Sequence, residues 1–191
     1  MKTLQSPLGD TDIQSLRAGD SVLLSGTVYT ARDAAHARLT ELLRRGEPLP
    51  VDLRGQVIYY TGPTPAPAGR VIGSAGPTTS GRMDAYTPDL LAAGLKGMIG
   101  KGHRSPEVVE AIARHRAVYF AATGGAAALL ARCVVSCEVV AYADLGCEAI
   151  NRLEIVKLPL VVINDVYGGD FYRDNRRRYA RPPLTPADQT D

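Results

Sequence analysis

Residues 87–122 read TPDLLAAGLKGMIGKGHRSPEVVEAIARHRAVYFAA, and they decide the fold class. Thr87-Pro88 opens a short helix with proline at its first position, and Gly94 ends it. Lys96 to Ile99 follows as a strand. Ser105-Pro106 opens a second helix in the same way, running to about His115. Ala117 to Ala122 is then a second strand, apolar almost throughout. Helices and strands that alternate in this way predict an α/β domain. Strands that are continuously apolar, rather than alternating with polar residues, fit a sheet covered by helices.

The alternation extends outward in both directions. Leu16 to Asp20 reads as a turn into a strand over Ser21 to Tyr29. A helix follows, with Thr30 as its cap, Asp33 completing a capping box and Gly46 stopping it. Ala35, Leu39, Leu42 and Leu43 give that helix one buried face. Gln56 to Tyr60 is a short apolar strand, and the Gly- and Pro-rich run from Gly62 to Pro77 is a loop. Beyond the central stretch, Gly124-Gly125 leads into a small-residue helix over Ala126 to Ala131. Cys133 to Ala141 and Glu154 to Asp165 read as the last strands. The segment 176–191 begins with Arg176-Arg177-Arg178, carries Pro182, Pro183 and Pro186, and is expected to be a mobile tail or an arm on a partner.

Bulk properties narrow the function. The 191 residues suit one domain, and 45% hydrophobic with 22% charged residues exclude wholesale disorder. Twenty-two basic against twenty acidic residues give a net charge of +2, which offers no electrostatic reason for a nucleic-acid partner. No apolar run approaches the ~18 residues of a membrane span. Met1 to Pro7 lacks the apolar core of a secretory signal. Three cysteines are too few for a disulfide framework. Cys133, Cys137 and Cys147 lack the tight pairing of zinc or iron–sulfur sites and read as reduced, mostly buried thiols; no metal ligand is expected on this chain. A cytoplasmic single domain is the expectation.

Polar chemistry interrupts the pattern in three places. Gly76-Pro77-Thr78-Thr79-Ser80-Gly81-Arg82-Met83-Asp84 puts three hydroxyls and a guanidinium on one turn. Such a turn either binds an anion, with Arg82 gripping a carboxylate, or is an ordinary capped loop. Lys101 lies between Gly100 and Gly102 at a strand end, either aimed at an anion or proton-transfer partner or standing as a surface lysine. The flanking residues do not make a Walker A loop, and no Gly-x-Gly-x-x-Gly supports a dinucleotide. Arg32 falls at a helix start, where it opposes the dipole and so breaks a local preference. His36, four residues on, either orients Arg32 or a substrate, or is a packed core histidine. Two arginines, a lysine and a Thr-Thr pair suit a small dianion such as a dicarboxylate, yet no obvious electrophile accompanies them.

These residues, in this order, resemble the C-terminal domain or β subunit of class I fumarate hydratases and the related L-tartrate dehydratase β subunit. The matching motifs are Leu24-Ser25-Gly26, Tyr29 through His36, Gly76 through Asp84, Ile99 to Gly102, Gly124 through Ala128, Gly146 through Ile150 and Asp170-Phe171-Tyr172. The resemblance covers roughly residues 10–175, and several motifs in one order are more specific than any alone. It implies a swivelling β/β/α domain over residues 1–175 that packs on a separate α subunit, in an α2β2-like heteromer. That partner would carry a [4Fe-4S] cluster whose open iron is the missing electrophile. It also implies that Arg32, Arg82 and Lys101 bind substrate carboxylates, that Thr78 and Lys101 are catalytic, with Thr78 as the base, and that Thr79 hydrogen-bonds substrate. His36 and Asp84 would support them from behind. The implied reaction is reversible hydration of fumarate to L-malate, with conversion of L-tartrate to oxaloacetate, or a non-catalytic dicarboxylate-binding role, as alternatives.

Overall fold

The computed structural model of the chain describes residues 1–180. In order, the elements are β1 (Lys2–Ser6), α1 (Asp10–Gln14), β2 (Ser21–Thr30), α2 (Asp33–Arg45), β3 (Val57–Tyr59), a 3₁₀ turn (Ser80–Met83), α3 (Thr87–Ala92), β4 (Gly97–Gly100), α4 (Pro106–Arg114), β5 (Val118–Ala121), α5 (Ala127–Ala131), β6 (Val134–Ala141), a second 3₁₀ segment (Ala143–Glu148), β7 (Ile150–Asn164) and α6 (Phe171–Tyr179). The helices around β4 start as their sequences dictate: Pro88 and Pro106 lie in first turns, and Ser105 Oγ accepts from the Val108 amide.

The seven strands form one sheet in the order β1-β2-β3-β4-β5-β7-β6, and β2 also pairs with β7. Neighbours from β1 to β5 are parallel, whereas β7 runs antiparallel to β5, β6 and β2. With 15 residues, β7 is long enough to pair β2 along one side while β6 and β5 share the other. The pairing closes β2, β3, β4, β5 and β7 into a barrel within a mixed α/β domain.

Side chains of alternate strand residues point to opposite faces. Val57, Tyr59, Ile99, Val118 and Phe120 therefore join Leu24, Val28, Leu153 and Val162 inside the barrel. Ile58, Tyr60, Met98 and Tyr119 face outward into a second core with Leu39, Leu90, Leu91, Val108 and Ile112 from the helices. Both faces of the central strands are buried, which explains their continuous apolar runs. Helices cover only one of those faces; the other is filled by the barrel closing on itself.

Four local readings change. β1 and α1 precede the first strand read from sequence. Arg32, not Thr30, occupies the N-cap of α2, and its side chain caps nothing. Thr30 is instead the last residue of β2 and fully buried, donating to the Ala149 carbonyl (3.1 Å) and accepting from Asn151 N (3.0 Å) and Nδ2 (2.9 Å). The last strand begins at Ile150 rather than Glu154, because those bonds to Thr30 make polar Asn151 tolerable in a buried strand. Arg176-Arg177-Arg178 belong to α6, which Asp170 caps by accepting from the Arg173 amide at 3.1 Å. The remainder of the expected tail, 181–191, lies outside the described residues. Among those described, no helix is long and apolar enough to cross a membrane.

Candidate active site

Four parallel strands, β2 to β5, end along one edge of the barrel. In open α/β sheets such carboxyl ends are where ligands bind. Arg32 follows β2, Gly62 follows β3, Lys101 follows β4 and Thr123-Gly124 follow β5. The hydroxyl turn is stitched to the same edge. The Thr78 amide donates to the Tyr60 carbonyl at 2.7 Å, the Lys101 amide to the Thr78 carbonyl at 3.2 Å and the Ser80 amide to the Lys101 carbonyl at 2.9 Å. Thr79 and Lys101 thus form a parallel bridge that lengthens the sheet by one step beyond β4. Thr78 is half-buried, while Thr79 and Lys101 are exposed.

Gly100 makes this approach possible. A Cβ at Gly100 would lie 2.0 Å from Ser80 Oγ and 2.9 Å from the Tyr60 ring. Lys101 extends past Gly124, where a Cβ would stand 3.8 Å from its Cδ. It opens onto a cavity of about 260 Å³ lined also by Thr123, Gly124, Phe171 and Tyr172.

Arg32 is held from both ends. Its carbonyl accepts from the His36 amide and from His36 Nδ1, each at 2.9 Å. Its guanidinium lies 3.2 Å from Glu148 Oε1. A Cβ at Gly62 would come within 2.9 Å of the Cys147 carbonyl and 3.2 Å of Arg32 Nη1, so glycine lets the 143–148 segment close over the arginine. His36 is fully buried, with its ring edge-on to Tyr60 at 5.2 Å. Burial pushes its pKa down to about 4, against the pull of the Arg32 carbonyl and with help from the Arg104 charge. His36 is therefore neutral at pH 7 and anchors the Arg32 backbone; its Nε2 is buried without a protein partner.

Arg82, on the first 3₁₀ turn, donates through Nη2 to Asp33 Oδ2. Its side chain is 53% exposed, so most of its donors still face outward. Asp33, which the sequence places in a capping box, lies instead in the first turn of α2, paired with Arg82. The local excess of positive charge is therefore partly neutralised by Asp33 and Glu148.

Asp84 is engaged by other partners than the three candidate cations. Its Oδ1 accepts from Arg104 Nε and its Oδ2 from the Ser105 amide, both at 2.7 Å. Arg104, Tyr60, Tyr119 and Glu148 are elements of the candidate site that no local sequence pattern singles out. Arg104 is the arginine buried among the described residues, at 7% exposure. Its signal in the sequence, a charge directly after Gly-Lys-Gly-His, is hidden by the Ser-Pro helix start beside it. Cys133 and Cys137 are half-buried with thiols raised by burial, whereas Cys147 is exposed, contrary to the expectation of buried thiols.

The fold and site define a mixed α/β barrel domain with guanidinium, ammonium and hydroxyl groups gathered at its parallel strand ends, a chemistry suited to a small anion. The chain belongs to the fumarase C-terminus family, which matches residues 2–175. It is 44% identical over 153 residues to the anaerobic class I fumarate hydratase of Escherichia coli and 43% identical over 152 residues to the aerobic one. Each match covers 78% of this chain but 28% of the relative, so the chain spans little more than a quarter of those enzymes. It is 37% identical over 177 residues to a Methanocaldococcus jannaschii protein provisionally named L(+)-tartrate dehydratase subunit beta, covering 89% of this chain and 91% of that one.

Proposed function

We propose that this chain is the β subunit of a two-component, iron–sulfur-dependent hydro-lyase that reversibly hydrates fumarate to L-malate. The observation carrying this reading is the convergence on one strand-end edge of three segments, those bearing Arg32, Thr78 with Arg82, and Lys101. Residues 1–175 form the functional domain, which swivels against a cytoplasmic α partner in an α2β2-like assembly. The separate-subunit organisation is supported by the M. jannaschii relative, matched over 91% of its length. That same relative favours the second reading, an L-tartrate dehydratase β subunit yielding oxaloacetate.

A [4Fe-4S] cluster does not fit this chain's own donors. Among the described residues no three His, Cys, Asp or Glu side chains converge to hold a metal. Cys133 and Cys137 are half-buried while Cys147 is exposed, and no third donor among the described residues joins them. We assign the cluster to the partner.

This chain's contribution is recognition and proton transfer. Arg82 and Arg32 grip the two carboxylates, Lys101 adds a third cation and Thr79 a hydrogen bond. Hydration places a hydroxyl on one alkene carbon and a proton on the other; Thr78 moves that proton. A threonine hydroxyl is a poor base in water, so nearby cations and exclusion of solvent by the partner are needed to lower its pKa. Anaerobic reconstitution with the α partner, assayed on fumarate, L-malate and L-tartrate, tests the reading. Turnover by this chain alone would sink it, and diacid binding without turnover would leave only a dicarboxylate-binding module.

A further inference from the structure

We infer that Arg104 is the positioning residue that sets Thr78, Arg82 and Lys101 relative to one another from beneath the site; its consequence for turnover rests on the functional reading above. The Arg104 side chain is 0% exposed. A buried ion pair commonly adds no more stability than apolar packing of the same volume. Stability alone therefore gives no reason to place a guanidinium here, but its planar fork of donors does.

Each arm of the fork reaches a different segment. Nε donates to Asp84 Oδ1 at 2.7 Å and Nη2 to Thr87 Oγ1 at 2.7 Å. The Thr87 hydroxyl passes the bond on to the Met83 carbonyl at 2.9 Å. Both residues following Arg82 are thus fixed by Arg104, one directly and one through Thr87. Nη1 lies 3.3 Å from the Tyr60 hydroxyl, and the Tyr60 carbonyl is the acceptor that holds the Thr78 amide. Arg104 itself lies three residues after Lys101. The same strand-end loop is tied down again at Gly102, whose carbonyl accepts from the Tyr119 hydroxyl at 2.9 Å. Having given its proton there, the Tyr119 oxygen accepts from Ser80 Oγ at 2.8 Å. The Tyr119 ring stands 5.1 Å from the guanidinium, within cation–π range. One buried cation therefore links the turn carrying Arg82, the strand end holding Thr78 and the loop carrying Lys101.

Lysine at this position keeps the charge and loses the fork, so Arg104→Lys separates positioning from electrostatics; Arg104→Met removes both, and Asp84→Asn weakens one arm in a milder background. Amide hydrogen exchange on the full chain is the first readout. The variants are expected to exchange faster together over residues 78–84 and 100–105, while Tyr119 and Val162 in the barrel keep wild-type protection. Unchanged protection in both loops, or loss shared equally with the barrel, overturns the inference. The second readout is turnover of the reconstituted complex. A drop in kcat of at least about tenfold with little change in KM is expected for Lys and Met alike, as for any misplacement of reacting groups. Full activity in Arg104→Lys would show that only the charge matters and also overturns it. If the wild-type complex turns over no C4 diacid, the functional reading falls while the exchange result still decides the role of Arg104.

Discussion

Arg82 and Asp33 are ion-paired across the mouth of the site, one on the turn beside β4 and the other in the first turn of α2. Asp33 engages Nη2 alone, leaving the other donors of the guanidinium available. The carboxylate thus orients the arginine without occupying it. Asp33→Asn keeps the shape and removes the charge, so the long, half-exposed Arg82 side chain loses its tether while the local potential becomes more positive. In the proposed complex kcat should fall roughly tenfold, with KM for a dicarboxylate unchanged or lower at low salt. A raised KM with wild-type kcat would count against the orienting role.

Arg82→Ala tests the carboxylate clamp itself. At 53% exposure the side chain contributes little to the core, so the melting temperature should stay near wild type. Turnover should fall by at least about a hundredfold, the expected result of losing a charge-assisted pair to a bound carboxylate. Thermal unfolding and steady-state kinetics on the same preparation separate the two effects. Near-normal turnover would remove Arg82 from the clamp.

The central strands were legible because burial on both faces leaves the same apolar signature wherever it occurs. Closure of the barrel was not. It depends on β7 pairing with β2, residues 152–161 against 21–29, and nothing local in either strand names the other. Helix α6 was missed because it fully buries no residue and only Phe171 and Tyr172, at its start, pack against the core, too short an apolar pattern to mark a helix. Within the proposed site, Arg32, Thr78, Arg82 and Lys101 stand out as polar interruptions, and the order of their motifs carries the family resemblance. Asp33 looks like a capping residue and Arg104 draws no attention in the sequence, because the partner of each is distant in sequence: Arg82 for the first, Tyr60 and Asp84 for the second.

Gly100→Ala should damage the site through packing. The new methyl would stand 2.0 Å from Ser80 Oγ and 2.9 Å from the Tyr60 ring, pushing the hydroxyl turn away from β4. Overpacking of this kind costs about 1–3 kcal/mol. Adding Ser80→Ala should recover part of the loss but not all, since Tyr60 still blocks the space. Denaturant unfolding of the single and double variants measures this coupling. Additive effects would show that the Ser80 contact is not what excludes a side chain at Gly100.

His36 should make the domain acid-sensitive. Its pKa is depressed from 6.5 to about 4 in the folded chain, so between those values the unfolded chain holds a proton that the folded chain does not. Stability therefore falls as pH drops from about 6.5 and stops falling on this account below about 4, a loss on the order of 3 kcal/mol across the window. Above pH 6.5 His36 contributes no pH dependence. Urea midpoints at pH 7, 5.5 and 4.5 should decline in the wild type and decline less in His36→Gln. Equal slopes in the two chains would refute a neutral, buried His36.

Thr78 distinguishes proton transfer from binding. Its backbone is pinned on both sides, by the Tyr60 carbonyl at 2.7 Å and the Lys101 amide at 3.2 Å, so a change of side chain should leave the turn in place. Thr78→Val preserves the shape and removes the hydroxyl. If that hydroxyl acts on the reacting carbon, kcat should drop by about a hundredfold or more with a small change in KM, because the lost interaction belongs to the transition state. Thr78→Ser, which keeps the hydroxyl, should retain most of the rate. Equal kcat in the valine and serine variants, with KM raised only in valine, would reassign Thr78 to substrate binding and leave the proton to another group on the same edge.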